Sequence, residues 1–214
     1  MRCQAALFDL DGTLLDTLAD LADSMNEVLS DLGMPVHPVE PYRYFVGDGM
    51  LNLARRAAPA GTPESVLAKM VALMDEKYGQ NWNRKTRPYE GVPELAAALR
   101  ERGLRLAILS NKPDNFTKIM AEHYFPGVFD MVLGARAEVP RKPDPAAAWE
   151  IAAHFGLDSA AFLYFGDTDT DMRTGRAAGM RTIGVSWGFR PVEELRAAGA
   201  EAILDHPGQA LALL

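Results

Sequence analysis

From residue 89 to the C-terminus, short apolar runs alternate with longer helical patterns. Such alternation is typical of βαβ units, and it predicts an α/β fold with a doubly wound, mostly parallel sheet. Several of the intervening helical patterns end at a glycine, which is a common helix stop. Counting one run near the N-terminus, the predicted strands are AALFDL (5–10), LRLAILS (104–110), DMVLGA (130–135), AFLYFGD (161–167), TIGVS (182–186) and AILD (202–205).

The stretch between the first predicted strand and residue 89 has a different pattern. Leu18, Leu21, Met25 and Val28 follow helical spacing, and no strand pattern is present from residue 17 to 80. An unstructured loop of about 70 residues inside a compact domain would be unusual, which favours a folded insertion over one continuous domain with a helical face. We therefore predict an α/β core domain of residues 1–15 and 89–214 and a small all-helical domain of residues 16–88.

Composition excludes several classes of partner and location. The chain has 214 residues and a net charge of -7, whereas nucleic acids and anionic lipids require a basic surface. Its one cysteine, Cys3, cannot form an intramolecular disulfide, and no apolar run approaches the ~18 residues of a membrane span. We predict a cytoplasmic protein that binds neither nucleic acid nor membrane, and the sequence leaves monomer and homodimer open.

Polar side chains follow several of the predicted strands. Asp9 and Asp11 follow the first strand, Ser110 and Asn111 end the second, and Asp167 ends the fourth. Lys142 precedes a predicted helix, and we expect it at the same edge of the sheet. In open parallel sheets the carboxyl ends of the strands meet in one crevice, which is where ligands bind. We expect these carboxylates, the hydroxyl and the ammonium to share one site.

The two aspartates at positions 9 and 11 would be costly to bury without a positive charge. Residues two apart on an extended chain face the same side, so Asp9 and Asp11 can both point into the crevice. Oxygen ligands with no Cys or His nearby suit Mg²⁺, and Asp167 is the natural third ligand. With a lysine and a hydroxyl nearby, such a site suits phosphoryl transfer: an aspartate can attack phosphorus, and a second acid can protonate the leaving oxygen.

Four segments resemble, in order, the four motifs of the haloacid dehalogenase-like hydrolases: FDLDGTLLDT (8–17), SNK (110–112), RKPDP (141–145) and GDTDTD (166–171). The resemblance covers essentially the whole chain, because the helical insertion matches the C1 cap of that family in position and character. It implies a Rossmann-like core and a Mg²⁺ cofactor.

Site roles are carried over from this resemblance position by position. It implies that Asp9 is the nucleophile and a metal ligand, and that Asp11 is the general acid and base and ligates the metal through its backbone carbonyl. Asp167 would complete the metal site, and Asp171 would orient metal-bound water from the second shell. The implied substrate-binding residues are Thr13, Ser110, Asn111 and Lys142.

Two details of the motifs narrow the predicted chemistry. Dehalogenases of the superfamily lack an acid at the position of Asp11, so the presence of this acid favours a phosphatase. Phosphomutases often have valine where this chain has Thr13, so the threonine counts against a phosphomutase.

The segment RYFVGDGMLNLARRA (43–57) resembles the cap segment of phosphoglycolate phosphatases. There the turn of Gly47 and Gly49 could offer backbone N–H groups to a small carboxylate, and Arg43, Arg55 or Arg56 could add charge. Alternatively, the turn only caps the helix, and Arg55 and Arg56 are solvated helix residues.

The predicted function is Mg²⁺-dependent hydrolysis of a small phosphomonoester, with 2-phosphoglycolate as the first candidate. Alternatives among enzymes are a phosphatase for sugar phosphates, nucleotides or pyrophosphate, and a mutase of the β-phosphoglucomutase type. A receiver-like signalling module also combines clustered aspartates, Mg²⁺, a hydroxyl and a lysine. Such modules are generally smaller and lack a helical insertion after the first strand, so residues 17–80 count against that alternative.

Overall fold

A six-stranded sheet forms the centre of the structure, a computed structural model that describes residues 3–214. All of its neighbouring strands are parallel, and their order is β5-β4-β1-β6-β7-β8. The predicted α/β fold class is confirmed, and the predicted strands differ from the observed ones only at their ends. The six strands are β1 (Ala5–Phe8), β4 (Arg105–Pro113), β5 (Met131–Ala135), β6 (Phe162–Gly166), β7 (Arg181–Val185) and β8 (Ala202–Leu204).

Both faces of this sheet are buried under helices. Successive residues of a strand point to opposite faces, so Ala6 and Phe8 of β1 join one apolar cluster while Ala5 and Leu7 join another. Such two-sided burial explains why the strand sequences are continuously apolar rather than alternating. The helices of this part are α5 (Val92–Glu101), α6 (Asp114–Tyr124), α7 (Ala146–Phe155), α8 (Asp169–Ala178) and α9 (Val192–Ala198), with 3₁₀ turns at Ser159–Ala161 and Pro207–Leu213.

Between β1 and β4 the chain forms a helical segment with its own apolar cluster. Met25, Met70 and Tyr78 are fully buried in this cluster, and Phe116 and Phe189 of the α/β part also join it. The insertion is therefore folded and packs on the sheet domain, while the division of the chain at residues 16 and 88 stays a prediction. The helical segment comprises α1 (Leu18–Asp31), α2 (Tyr42–Phe45), α3 (Met50–Ala57) and α4 (Glu64–Asn81).

A short antiparallel pair, not predicted from the sequence, joins the two ends of the helical segment. It consists of β2 (Leu15–Asp16) and β3 (Arg87–Pro88), so the chain leaves and re-enters the α/β part at adjacent points.

Within residues 3–214, no helix combines the length and apolar character that a bilayer crossing requires.

The position of β1 defines where a site can form. After β4 and β5 the chain crosses to the other side of β1 and adds β6, β7 and β8 there. The strand order therefore reverses at β1, and in open parallel sheets the crevice at such a switch point is the usual binding site.

The Asp20 side chain links α1 to Lys85 and Thr86, which lie just before β3, where the chain re-enters the sheet domain. Its carboxylate is buried and accepts hydrogen bonds from the backbone N–H groups of Lys85 and Thr86 and from the Thr86 hydroxyl, all at 2.8–3.0 Å. Asp23, one turn along the same helix, only pairs with the exposed Lys85 ammonium.

We predict that Asp20→Ala lowers the free energy of unfolding by at least about 2 kcal/mol, because it leaves buried donors without an acceptor. Asp23→Ala is the matched control, and it should leave stability near the wild-type value because exposed ion pairs contribute little. Urea unfolding followed by circular dichroism measures both changes. Equal effects of the two substitutions would contradict the structural role assigned to Asp20.

Candidate active site

Three buried carboxylates meet at the end of the central strand. Asp9 directly follows β1, Asp167 directly follows β6, and Asp171 lies in the first turn of α8. Each offers a carboxylate oxygen within 4.8 Å of the other two. Burial, followed by the negative charge of Asp171, raises the pKa of Asp9 to about 7, and the same causes hold the pKa of Asp167 well above its usual range. This cluster requires a compensating positive charge.

Lys142 supplies part of that charge. Its ammonium lies 2.7 Å from Asp171 Oδ1, 2.9 Å from Asp9 Oδ1 and 3.1 Å from the carbonyl oxygen of Leu109. Burial by itself would lower the pKa of Lys142, but the Asp171 and Asp9 carboxylates outweigh it and raise that pKa well above the usual value. Three acceptors thus match the three N–H donors of a buried lysine.

The side chain of Asn111 holds the backbone around Lys142. Its Oδ1 accepts from the Lys142 N–H at 2.9 Å, and its Nδ2 donates to the Lys142 carbonyl at 3.1 Å. The same Nδ2 lies 3.0 Å from the carbonyl oxygen of Gly47 in the helical segment. Asn111 therefore links the lysine loop to the helical segment, while the adjacent Ser110 hydroxyl lies at the cavity described below.

Asp167 is fixed by contacts from two loops. The Thr13 hydroxyl donates to its Oδ1 at 3.1 Å, and the Phe189 N–H donates to its Oδ2 at 2.8 Å. Gly12, which has a φ of 87°, and Gly188 both approach so closely that a Cβ on either would overlap the Asp167 side chain. Thr13, predicted from the sequence as a substrate-binding residue, contacts the carboxylate here.

Asp171, for which a second-shell role is predicted, lies at the start of α8 beside the other two carboxylates. It forms a capping box at the start of α8, in which its Oδ2 accepts from the Thr168 N–H at 3.1 Å and the Thr168 hydroxyl at 2.7 Å. Its other oxygen joins the three-carboxylate cluster through Lys142. Asp169, which the sequence analysis did not assign to the site, instead pairs with the exposed Arg173 at 2.9 Å.

The cluster fits a magnesium ion in its donor chemistry. All of its ligand atoms are carboxylate oxygens that converge within a few ångströms, and the pKa values of Asp9 and Asp167 are raised as expected when buried acids face one another. Asp9, Asp167 and Asp171 are the side chains that would hold the ion.

The Asp11 carboxylate is not part of this three-carboxylate cluster and pairs with Lys112. The Lys112 ammonium lies 2.9 and 3.1 Å from its two oxygens and 4.6 Å from the centre of the Tyr78 ring. Burial alone would lower the pKa of Lys112, yet the Asp11 carboxylate outweighs it and raises the pKa above the usual range. Sequence reasoning assigned Lys112 no role, since the proline-flanked Lys142 matched the motif and nothing local showed which acid each lysine meets.

A small cavity of about 40 Å³, open to solvent, lies between the carboxylates and the helical segment. Gly47 and Gly49 line it, and Gly49 precedes the first turn of α3, so the predicted turn lies at the site. Arg55 does not line it: its guanidinium is half exposed and pairs with Glu64 at 3.0 Å. The contribution of Arg55 to ligand binding stays a prediction, and in this structure α3 turns that side chain toward Glu64 at the start of α4.

The fold and the cluster define a class of α/β proteins with a carboxylate and lysine site at the switch point of a parallel sheet. Residues 6–185 match the sequence profile described as haloacid dehalogenase-like hydrolase. The chain belongs to this family. Because the chain belongs to this hydrolase family, it is not a receiver-like signalling module.

Curated relatives and solved structures of this family resemble nearly the whole chain. It is 32% identical to the phosphoglycolate phosphatase of Psychrobacter arcticus over 92% of this chain and 89% of that protein. It is 29% identical to the phosphoglycolate phosphatase of Haemophilus influenzae over 97% of this chain and 96% of that protein. The crystal structure of a candidate phosphoglycolate phosphatase from Lactobacillus delbrueckii subsp. bulgaricus superposes with a TM-score of 0.92 at 31% identity, covering 98% and 97% of the two chains.

We predict that Mg²⁺ raises the melting temperature more at about pH 8 than at about pH 5. For an acid with a raised folded-state pKa, the unfolded chain ionises first. Stability is therefore lost as the pH rises from the unfolded pKa near 4 through the folded value, which is about 7 for Asp9. Mg²⁺ binds the ionised form and should restore that stability at the higher pH. Differential scanning fluorimetry with and without the metal measures the effect.

Asp167→Asn should abolish the stabilisation by Mg²⁺, whereas Asp169→Asn, an acid two residues away on the surface, should retain it. A metal effect that is independent of pH, or that persists in Asp167→Asn, would contradict the assignment of the cluster as the metal site.

Proposed function

We propose that this protein hydrolyses a small phosphomonoester, with 2-phosphoglycolate as the first candidate, through a phosphorylated Asp9. The observation that carries the proposal is the placement of Asp9. Its carboxylate lies at the wall of the cavity, beside a buried lysine and two further buried carboxylates that suit Mg²⁺.

The hydrogen bonds of Asp9 leave one oxygen available for attack. Oδ1 accepts from the Leu10 N–H at 2.7 Å and lies 2.9 Å from the Lys142 ammonium. Among residues 3–214, no donor forms a hydrogen bond to Oδ2. This oxygen would attack phosphorus, forming a new P–O bond as the bond to the leaving oxygen breaks.

Asp11 is the group proposed to move the proton. It would donate a proton to the leaving oxygen in the first step. In the second step water would attack phosphorus, Asp11 would take the proton of that water, and the bond to Asp9 would break to release phosphate. The reaction thus consumes one water and restores both carboxyl groups.

The remaining residues would hold the phosphoryl group. The Ser110 hydroxyl and the Asn111 backbone border the cavity and would donate to phosphoryl oxygens, while Lys142 would neutralise part of the charge that develops. When bound by Asp9, Asp167 and Asp171, with the Asp11 carbonyl as a further ligand, Mg²⁺ would supply positive charge that attracts and polarises the phosphoryl group.

Two observations support a small substrate. The relatives that resemble nearly the whole chain are phosphoglycolate phosphatases, and the helical segment lies directly over the cavity through Gly47 and Gly49. Cytoplasmic localisation, and a monomer or homodimer as the solution state, stay predictions.

The substrate is tested by phosphate release from 2-phosphoglycolate, glucose 1- and 6-phosphates, nucleoside monophosphates and pyrophosphate, each with and without Mg²⁺. We expect the highest kcat/KM for 2-phosphoglycolate and no turnover in EDTA. A substrate that disappears without phosphate release would indicate a mutase instead, and turnover independent of metal would contradict the proposed site.

Asp9→Asn should reduce kcat by at least about 10³-fold, because the amide is nearly isosteric but a poor nucleophile. Asp169→Asn serves again as the control and should keep wild-type turnover. The measurement is phosphate release at saturating substrate, with circular dichroism to show that both variants fold. Substantial turnover by Asp9→Asn would refute the nucleophile assignment.

A further inference from the structure

Lys112 is a buried cation that the proposed reaction steps do not use. It lies near the end of β4, two residues after Ser110, and its side chain is 2% exposed. Asp11 takes up at most two of its three N–H donors, at 2.9 and 3.1 Å, and the Tyr78 ring lies against the ammonium. A buried charge of this kind is stabilised by each further acceptor that it meets.

Lys112 differs in charge from the other residues that line the cavity. On the side of the helical segment the lining is mostly apolar, with Leu21, Val46, Met50 and Leu53. Within the part of the chain that the structure describes, Lys112 is the one lysine or arginine among the residues that line this cavity. Lys112 is therefore the cation that the cavity lining presents to an anionic group, whereas the Lys142 ammonium contacts Asp9, Asp171 and the Leu109 carbonyl.

The neighbouring arginines of the helical segment are committed elsewhere. Arg55 pairs with Glu64, and Arg56 pairs with Asp48 and donates to the carbonyls of the α2 segment. Arg43 pairs with Glu40 and donates to the Gly188 carbonyl. None of these three arginines lines the cavity, so Lys112 is the residue there that can supply the positive charge expected of an arginine.

We propose that Lys112 is a specificity-determining residue that binds a second anionic group of the substrate, a carboxylate carried by the leaving group. The inference rests on the proposed phosphatase function and specifies the substrate class of the same site. Lys112 contacts Asp11, the residue proposed to protonate the leaving oxygen, so a group bound to Lys112 lies beside that oxygen. Only a short leaving group can place its carboxylate there while its phosphorus faces Asp9.

The test compares 2-phosphoglycolate with its primary amide, which has the same carbon skeleton but lacks the carboxylate charge. Wild-type protein should favour the acid by about 10- to 100-fold in kcat/KM, the value of one hydrogen bond to a charged group. In Lys112→Met this preference should fall to near unity, mainly through loss of activity on the acid. Lys118→Met, an exposed lysine of α6 outside the cavity, is the matched control and should keep the preference.

A uniform loss on both compounds in Lys112→Met would overturn the proposal, because it would mean that Lys112 acts only by positioning Asp11. Equal kcat/KM for the acid and the amide in the wild-type protein would overturn it as well, and that comparison does not depend on the variant folding. Failure of the wild-type protein to release phosphate from any compound with Mg²⁺ present would instead refute the proposed function itself. The outcomes are therefore distinguishable.

Discussion

The mutual repulsion of three buried carboxylates at the end of β1 is the constraint on which the site depends. Asp9, Asp167 and Asp171 approach one another within 4.8 Å, in an environment that strongly disfavours unpaired charge. Lys142 contacts two of them and is itself held by Asn111. The surrounding loops also supply N–H and hydroxyl donors to these carboxylates.

A second ion pair, between the partly exposed Asp11 and the buried Lys112, lies where the sheet domain meets the helical segment. Lys112 lies against Tyr78 of α4, and the Asn111 side chain reaches the Gly47 carbonyl, so two consecutive residues of β4 contact the segment that covers the cavity. In the proposed reaction, Ser110 and Asn111 at this strand end would hold the phosphoryl group, and Lys112 would bind the leaving group.

Much of this arrangement could be predicted from the sequence, because strand ends in a parallel sheet must converge. That rule alone brings Asp9, Ser110 and Asp167 to one edge. The direction of Arg55 could not be predicted, because it depends on how α3 packs on α4, and the partner of Lys112 could not be predicted, because it depends on how the loop after β1 meets β4. The β2–β3 pair was too short to leave a periodic pattern.

The most direct test of the account is to identify the phosphorylated residue. Protein turning over 2-phosphoglycolate with Mg²⁺ is quenched in acid and treated with borohydride, which reduces an aspartyl phosphate to homoserine, and the peptides are then sequenced by mass spectrometry. We expect homoserine at position 9, dependent on substrate and missing from Asp9→Asn. Homoserine at another aspartate, or full turnover with no modified residue, would contradict Asp9 as the nucleophile.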